Sequence, residues 1–191
     1  MIHEVIHYLV DLPTPTTGPL YTACNTPAMK TALGGSTVVA GVYSSNNHSA
    51  PTVNPATNTA LPTPYVRVYD TGRKPEQIPS LGGSGHRTLK QVMLIDCVAN
   101  GATDYEANRR AFFLMLAVDA KLRQVLNSGA LSGLTVSDLG GTASQVSVTN
   151  SWIELEDDPM VQGPGSDNSD AKCLAIKKIR VTMLLAYQLT S

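Results

Sequence analysis

Residues 87–126 constrain the fold more than any other stretch, because a strand and a helix meet there with almost nothing between them. RTLKQVMLIDCVA (87–99) has a centre that is apolar on both faces. That pattern predicts a long strand at a central sheet position, covered by a helix. TDYE (103–106) then forms a capping box, in which Thr103 accepts from a backbone N–H and Glu106 reaches back. Behind it Ala111, Leu114, Met115, Val118, Leu122 and Val125 recur at helical spacing to about Asn127, and Gly129 supplies the stop.

The flanking segments complete an α+β pattern. Ile2, Val5, Ile6, Leu9 and Val10 make one apolar face of an N-terminal helix, with His3, Glu4, His7 and Asp11 off it and Pro13 and Pro15 ending it. A short helix is expected over 27–33, capped by Thr26, and a strand over TVVAGVY (37–43). Residues 44–64 carry almost no charge and several prolines, and read as a long exposed loop within a single domain spanning 1–191, a loop that the family resemblance given below implies is an insertion. YVRVYD (65–70) alternates, with Tyr65, Arg67 and Tyr69 on one side and Val66 and Val68 on the other. Residues 71–86 read as loop. QVSVTNSWIELE (145–156) alternates again, with Ile153 and Leu155 inward and Glu154 and Glu156 outward. Residues 157–170 read as a flexible loop, and 171–190 as a long closing strand or a bent pair. Helix, strands, one long helix, strands: this order predicts a mixed, mainly antiparallel sheet with the long helix packed on one face.

Composition narrows the function. Of 191 residues only 15% are charged, against roughly 25% in a typical soluble protein. Ser, Thr, Asn, Gly and Pro fill the deficit. A net charge of −1 argues against wrapping nucleic acid or coating an acidic membrane. Weak self-repulsion suits a subunit packed among neighbours. Cys24, Cys97 and Cys173 are odd in number and form no C-x-x-C, so a reducing compartment is expected rather than a disulfide framework. The N-terminus lacks the pattern of a signal peptide, and no apolar run reaches the roughly 18 residues of a membrane span.

Several spellings invite a catalytic reading. HEVIH (3–7) satisfies the H-E-x-x-H pattern, in which His3 and His7 would share a zinc ion with Glu4 as general base. A small zinc hydrolase is therefore one alternative. The motif begins at the third residue, however, where helix ends fray. The other histidines, His48 and His86, lie in loops, so a third ligand is wanting and the expectation is no metal and no cofactor. LGGSGHRT (81–88) resembles a phosphate cradle but enters a strand and lacks the P-loop lysine. A ligand-binding module built on that loop is a further alternative. No serine sits in G-x-S-x-G, so no enzyme is expected. The acidic group Glu154, Glu156, Asp157 and Asp158 fits no calcium loop. Arg109, Arg110, Lys121 and Arg123 are expected on the exposed or intersubunit side of the long helix.

In element order and texture the chain resembles the tail terminator (tail completion) proteins of long-tailed bacteriophages. The resemblance is carried by the N-terminal amphipathic helix, PYVRVYD with its polar loop, the strand running into the capped helix, and WIELEDDP before IKKIRVTMLLAYQ. It implies a virion structural role: a ring, six-membered in that family, that caps the head-proximal end of the tail tube, stops its polymerisation and meets the head connector. The implied partners are other copies of the chain, a tail tube protein and a connector or stopper protein. DNA would pass through the lumen without specific binding. The implied location is the virion neck, assembled in the host cytoplasm. On that reading the loops at 44–64, 71–86 and 157–170 are contact candidates, with Arg73, Lys74, Glu76, His86, Arg109 and Arg110 as subunit or partner contacts. Glu154, Glu156, Asp157 and Asp158 become candidates for an acidic channel wall, since basic residues there would hold the phosphates. Another neck component, such as an adaptor, a stopper or a tube subunit, is the nearest alternative.

Overall fold

The computed structural model describes residues 2–10, 14–33, 35, 38–45, 51–54, 57–71, 76–78, 86–131, 134–137, 143–162 and 173–188. Four helices and seven strands make up these segments: α1 (Ile2–Val10), α2 (Gly18–Cys24), α3 (Pro27–Leu33), β1 (Val42–Ser45), β2 (Tyr65–Asp70), β3 (Glu76–Ile78), β4 (His86–Gly101), α4 (Asp104–Asn127), β5 (Leu134–Ser137), β6 (Ala143–Gln162) and β7 (Cys173–Gln188). The strands form one sheet in the order β1-β2-β4-β7-β6-β5, with β3 following β2 along the same edge of β4. Only the β1–β2 pair is parallel. The fold is thus α+β with a mixed, mainly antiparallel sheet.

The strand–helix unit forms as its sequence requires. β4 is central, and α4 packs across it and β7. Met93, Ile95, Cys97 and Ala99 point at the helix from β4, and Ile179, Val181 and Met183 do so from β7; all are fully buried. Leu114, Val118 and Leu122 answer them from α4, each fully buried side chain contributing roughly 1.5–3 kcal/mol. Thr103 Oγ1 accepts from the Glu106 N–H at 3.2 Å. The Glu106 carboxylate accepts from the Ala102 N–H at 2.9 Å, one residue upstream of the usual capping-box donor. Gly129, with φ 71°, takes the left-handed conformation that ends the helix. α1 contacts β1 and β2 at one edge and β5 at the other, so the sheet curls around it.

Four expectations need correction. The strand expected over 37–43 begins only at Val42, because the Asn25 side chain intercepts its first half. Asn25 Oδ1 accepts from the Val38 and Val39 N–H groups at 2.8 and 3.2 Å, taking the donors that a ladder would need. The segments read as loop at 71–86 and 157–170 contain strand: β3 occupies 76–78, and β6 runs on to Gln162 across an irregularity between Glu156 and Met160. Leu155 is not inward but 42% exposed. Its strand lies beyond the helix, which covers β4 and β7, so only Ile153 packs against the core. Finally, α2 and β5 have no counterpart in the pattern read from the sequence.

The 44–64 segment is not wholly free of the body. Ser44 and Ser45 belong to β1, and Leu61 is buried with Tyr43, Tyr65 and Val98 on the side of the sheet away from α4. That small second core covers only one end of the helix-free face.

Candidate functional site

Strand register builds the helix-free face. Arg67 pairs with Asp96, Asp96 with Lys178, and Lys178 with Glu156. Charge therefore alternates across four neighbouring strands, β2, β4, β7 and β6. The next row runs Tyr69, Leu94, Arg180, Glu154, and the one after it Val92, Thr182, Trp152. Opposite charges on adjacent strands attract directly and along diagonals. Arg67 Nε donates to Asp96 Oδ2 at 2.8 Å, and the Tyr69 hydroxyl lies 3.4 Å from both carboxylate oxygens. Asp96 is 1% exposed. Burial, reinforced by the Asp96 charge, pushes the Tyr69 phenol up to about 12. Arg180 Nε donates to Glu156 at 2.6 Å and lies 3.7 Å from Glu154. Three cations and three carboxylates share the face, which is locally neutral.

The outer side of α4 forms a second surface. Tyr105 is 78% exposed, Phe112 45% and Leu116 39%, all on the side away from the sheet. The Arg109 guanidinium lies 5.4 Å from the Phe113 ring centroid, a cation–π distance. Arg110 is committed within the subunit, donating to the Asn100 carbonyl at 3.1 Å and pairing with Glu106 at 2.7 Å. Arg123 pairs with Asp119 at 3.0 Å, and Lys121 donates to Gln124.

The chain has one Trp and two Phe residues. None of the three is in the buried core; Trp152 is 47% exposed on the helix-free face, and both Phe side chains are on α4. The core is lined by Val, Ile, Leu and Met, with Tyr43 and Tyr65 in its smaller part, while Phe112 and Trp152 stand outside it.

The residues expected at sites are dispersed. Arg73 and Lys74 lie outside the described residues. Glu76 opens β3 and His86 opens β4, at the end of the sheet opposite the β4–α4 turn. Glu154 and Glu156 lie on the helix-free face, both near Arg180. Asp157 and Asp158 fall within the irregularity of β6, where Asp157, Asp158 and Pro159 stand against the single residue Lys177. Lys177 is buried at 8% exposure. Of the four carboxylates considered for a channel wall, Glu154 and Glu156 thus lie beside an arginine, and the side chains of Asp157 and Asp158 lie outside what the structure describes.

The HEVIH segment forms α1 as expected, with Ile2, Val5, Ile6, Leu9 and Val10 buried. His7 is exposed, whereas His3 turns toward Asp70, with Nε2 3.9 Å from the carboxylate. Among the described residues no group of three His, Cys, Asp or Glu side chains is arranged to hold a metal. The Gly-rich stretch 81–85 lies outside the described residues, and strand β4 begins directly after it. Sequence patterns alone do not single out the Arg67–Asp96–Tyr69 cluster as a site. Its signal is nonetheless present: a lone aspartate inside the apolar centre of β4, and an arginine between two tyrosines on one side of β2.

No protein-family model matches the chain. No curated protein matches it. Among solved structures, a chain in the virion of a native gene transfer agent particle aligns at 14% identity, covering 88% of this chain and 90% of that chain, with a TM-score of 0.31. A superposition that loose carries no weight for fold or role.

Proposed function

We propose that this chain is a virion structural protein, a ring-forming tail terminator that caps the head-proximal end of a phage tail tube and joins it to the head connector. The observation that carries the reading is the export of the largest hydrophobic side chains to two unlike faces, Phe112 on α4 and Trp152 on the sheet. A subunit with two different adhesive faces associates head-to-tail, and such contacts close into rings when the rotation between copies allows. The sequence resemblance supplies the place of that ring, between a tube subunit and a connector, in a particle assembled in the host cytoplasm. A formal charge of −1 suits a lumen that DNA passes without being held. On this reading the chain is not an enzyme and carries no cofactor.

The test has two readouts. Native mass spectrometry should give a single closed oligomer, and electron microscopy a ring with a central opening. Adding the protein to polymerising tube subunits should shorten the tubes and leave one end blunt. A chain that stays monomeric both alone and with tubes, and leaves their length unchanged, rejects the proposal.

A further inference from the structure

We infer that the contact between neighbouring copies is made by the outer side of α4 on one subunit and the helix-free sheet face around Trp152 on the next. The inference rests on the ring reading above and names the surfaces that would build it. The two patches match in chemistry. Phe112 and Leu116 sit one helical turn apart and offer a cleft between side chains, into which the exposed indole of Trp152 fits as a single large knob. Charge matches as well. Arg109 is exposed, with its guanidinium over the Phe113 ring. Glu154 is the most exposed carboxylate of the ladder, its side chain 64% accessible, and it lies 3.7 Å from Arg180, against 2.6 Å for Glu156.

Spacing permits both contacts at once. Arg109 and Phe112 are separated by about 4.5 Å along the helix axis, before the reach of the arginine side chain is added. Trp152 and Glu154 are about 6.6 Å apart on one side of their strand. The rest of the ladder does not compete for the partner, because Arg67, Asp96 and Glu156 are engaged within the subunit. The patches belong to opposite sides of the sheet–helix sandwich, so the contact is between unlike surfaces. Sheet twist of roughly 20–25° per strand turns the surface at β6 away from the plane under α4. Unlike patches inclined to one another close into a ring when the rotation between copies allows.

Charge exchange and crosslinking test the pairing. Arg109→Glu and Glu154→Arg should each raise the concentration for half-assembly by about tenfold or more, since each sets like charges against one another. The double variant restores an attractive pair at every contact and should regain most of the lost affinity. Separately, an Arg109→Cys, Glu154→Cys double variant, which keeps Phe112 and Trp152, should form intersubunit disulfides on oxidation, visible as a ladder on a non-reducing gel. The melting temperature of dissociated subunits serves as the control for folding. If the wild-type chain forms a ring but the charge variants assemble normally and no crosslink appears, the assigned surfaces are wrong and the ring reading survives. If wild type forms no oligomer at any concentration, with or without tubes, both fall together.

Discussion

Replacing Asp96 by Ala should destabilise the subunit by about 3 kcal/mol, and the structure says why. The Asp96 carboxylate is 1% exposed, accepts from Arg67 Nε at 2.8 Å and lies within 3.4 Å of the Tyr69 hydroxyl. Removing it leaves the Arg67 guanidinium, whose side chain is 16% exposed, without its carboxylate. Breaking a buried pair from one side costs roughly 3–5 kcal/mol, and the residual exposure of Arg67 places this case at the lower end. For a chain of this size that is a fall of about 6–12 °C in Tm, or a shift of about 1–1.5 M in the urea midpoint at an m-value of 2–3 kcal/mol/M. Urea unfolding of dissociated subunits, followed by Trp152 fluorescence and far-UV circular dichroism, measures it. Replacing both members by apolar residues, Asp96→Leu with Arg67→Met, should recover most of the loss, because no buried charge is then stranded.

A second readout separates electrostatics from packing. The folded Tyr69 phenol is raised to about 12 from an unfolded value near 10. The folded state therefore holds this proton more tightly. The associated stability is whole below pH 10 and is lost as pH rises toward 12. Burial, the larger cause, survives the Asp96→Ala change, whereas the push from the Asp96 charge does not. In the variant Tyr69 should ionise at lower pH than in wild type while remaining above the usual tyrosine value, as read by absorbance at 295 nm. A destabilisation below about 1 kcal/mol, or a double variant no more stable than Asp96→Ala alone, would refute the buried-pair account.

Three further outcomes rest on local geometry. Gly101→Ala should destabilise by about 1–3 kcal/mol in thermal unfolding, because a Cβ there would stand 2.5 Å from the Ala107 backbone nitrogen and 2.9 Å from Glu106, neither of which yields cheaply. Thr103→Ala should cost about 1 kcal/mol by removing the acceptor for the Glu106 N–H, with Thr103→Ser losing much less. Cys24 and Cys97 should resist a disulfide reagent at pH 8 until the protein unfolds: both are fully buried, and burial pushes Cys24 up to about 12 and Cys97 well above its ordinary value.

Sequence patterns are legible where one physical signal dominates a whole element. α4 and β4 carry periodicity, a cap and a stop that agree, so their register and mutual packing are set by them. Legibility fails where a single distant side chain overrules local preference. Val38 and Val39 look like strand, yet Asn25, more than ten residues earlier, accepts from their N–H groups. The acidic stretch after Glu156 looks like loop, but β7 holds it in the ladder through an irregularity that local sequence does not announce. The charged cluster shows the same limit: Arg67 and Asp96 are 29 residues apart, and only strand register brings them into contact. Phe112 and Leu116 are hidden for a different reason. An apolar run such as AFFLML fits a buried helix face well enough that its surplus residues draw no notice. Only the packed sheet shows that one side of α4 saturates with Leu114, Met115 and Val118, leaving the others outside.

How such a subunit would assemble depends on its edges as well as its faces. A sheet with long open edges invites strand addition, which proteins prevent with short strands, bulges, prolines and charge. Here β1 and β5, at the two ends of the strand order, have four residues each. β6 runs past β5, whose pairing stops at Val146, so its outer edge continues without a described partner to Gln162. That edge is interrupted twice, between Val148 and Asn150 and between Glu156 and Met160, and its sequence there contains four acidic residues and Pro159. Each feature discourages another strand from pairing in register. The faces carry the opposite design, with aromatic side chains exposed above a sheet whose charges are paired within the subunit. Association through faces uses side-chain shape and charge, which set one angle between copies and so allow a ring to close. Association through edges would extend the sheet without limit. A protein that ends a polymer requires the first behaviour and must suppress the second.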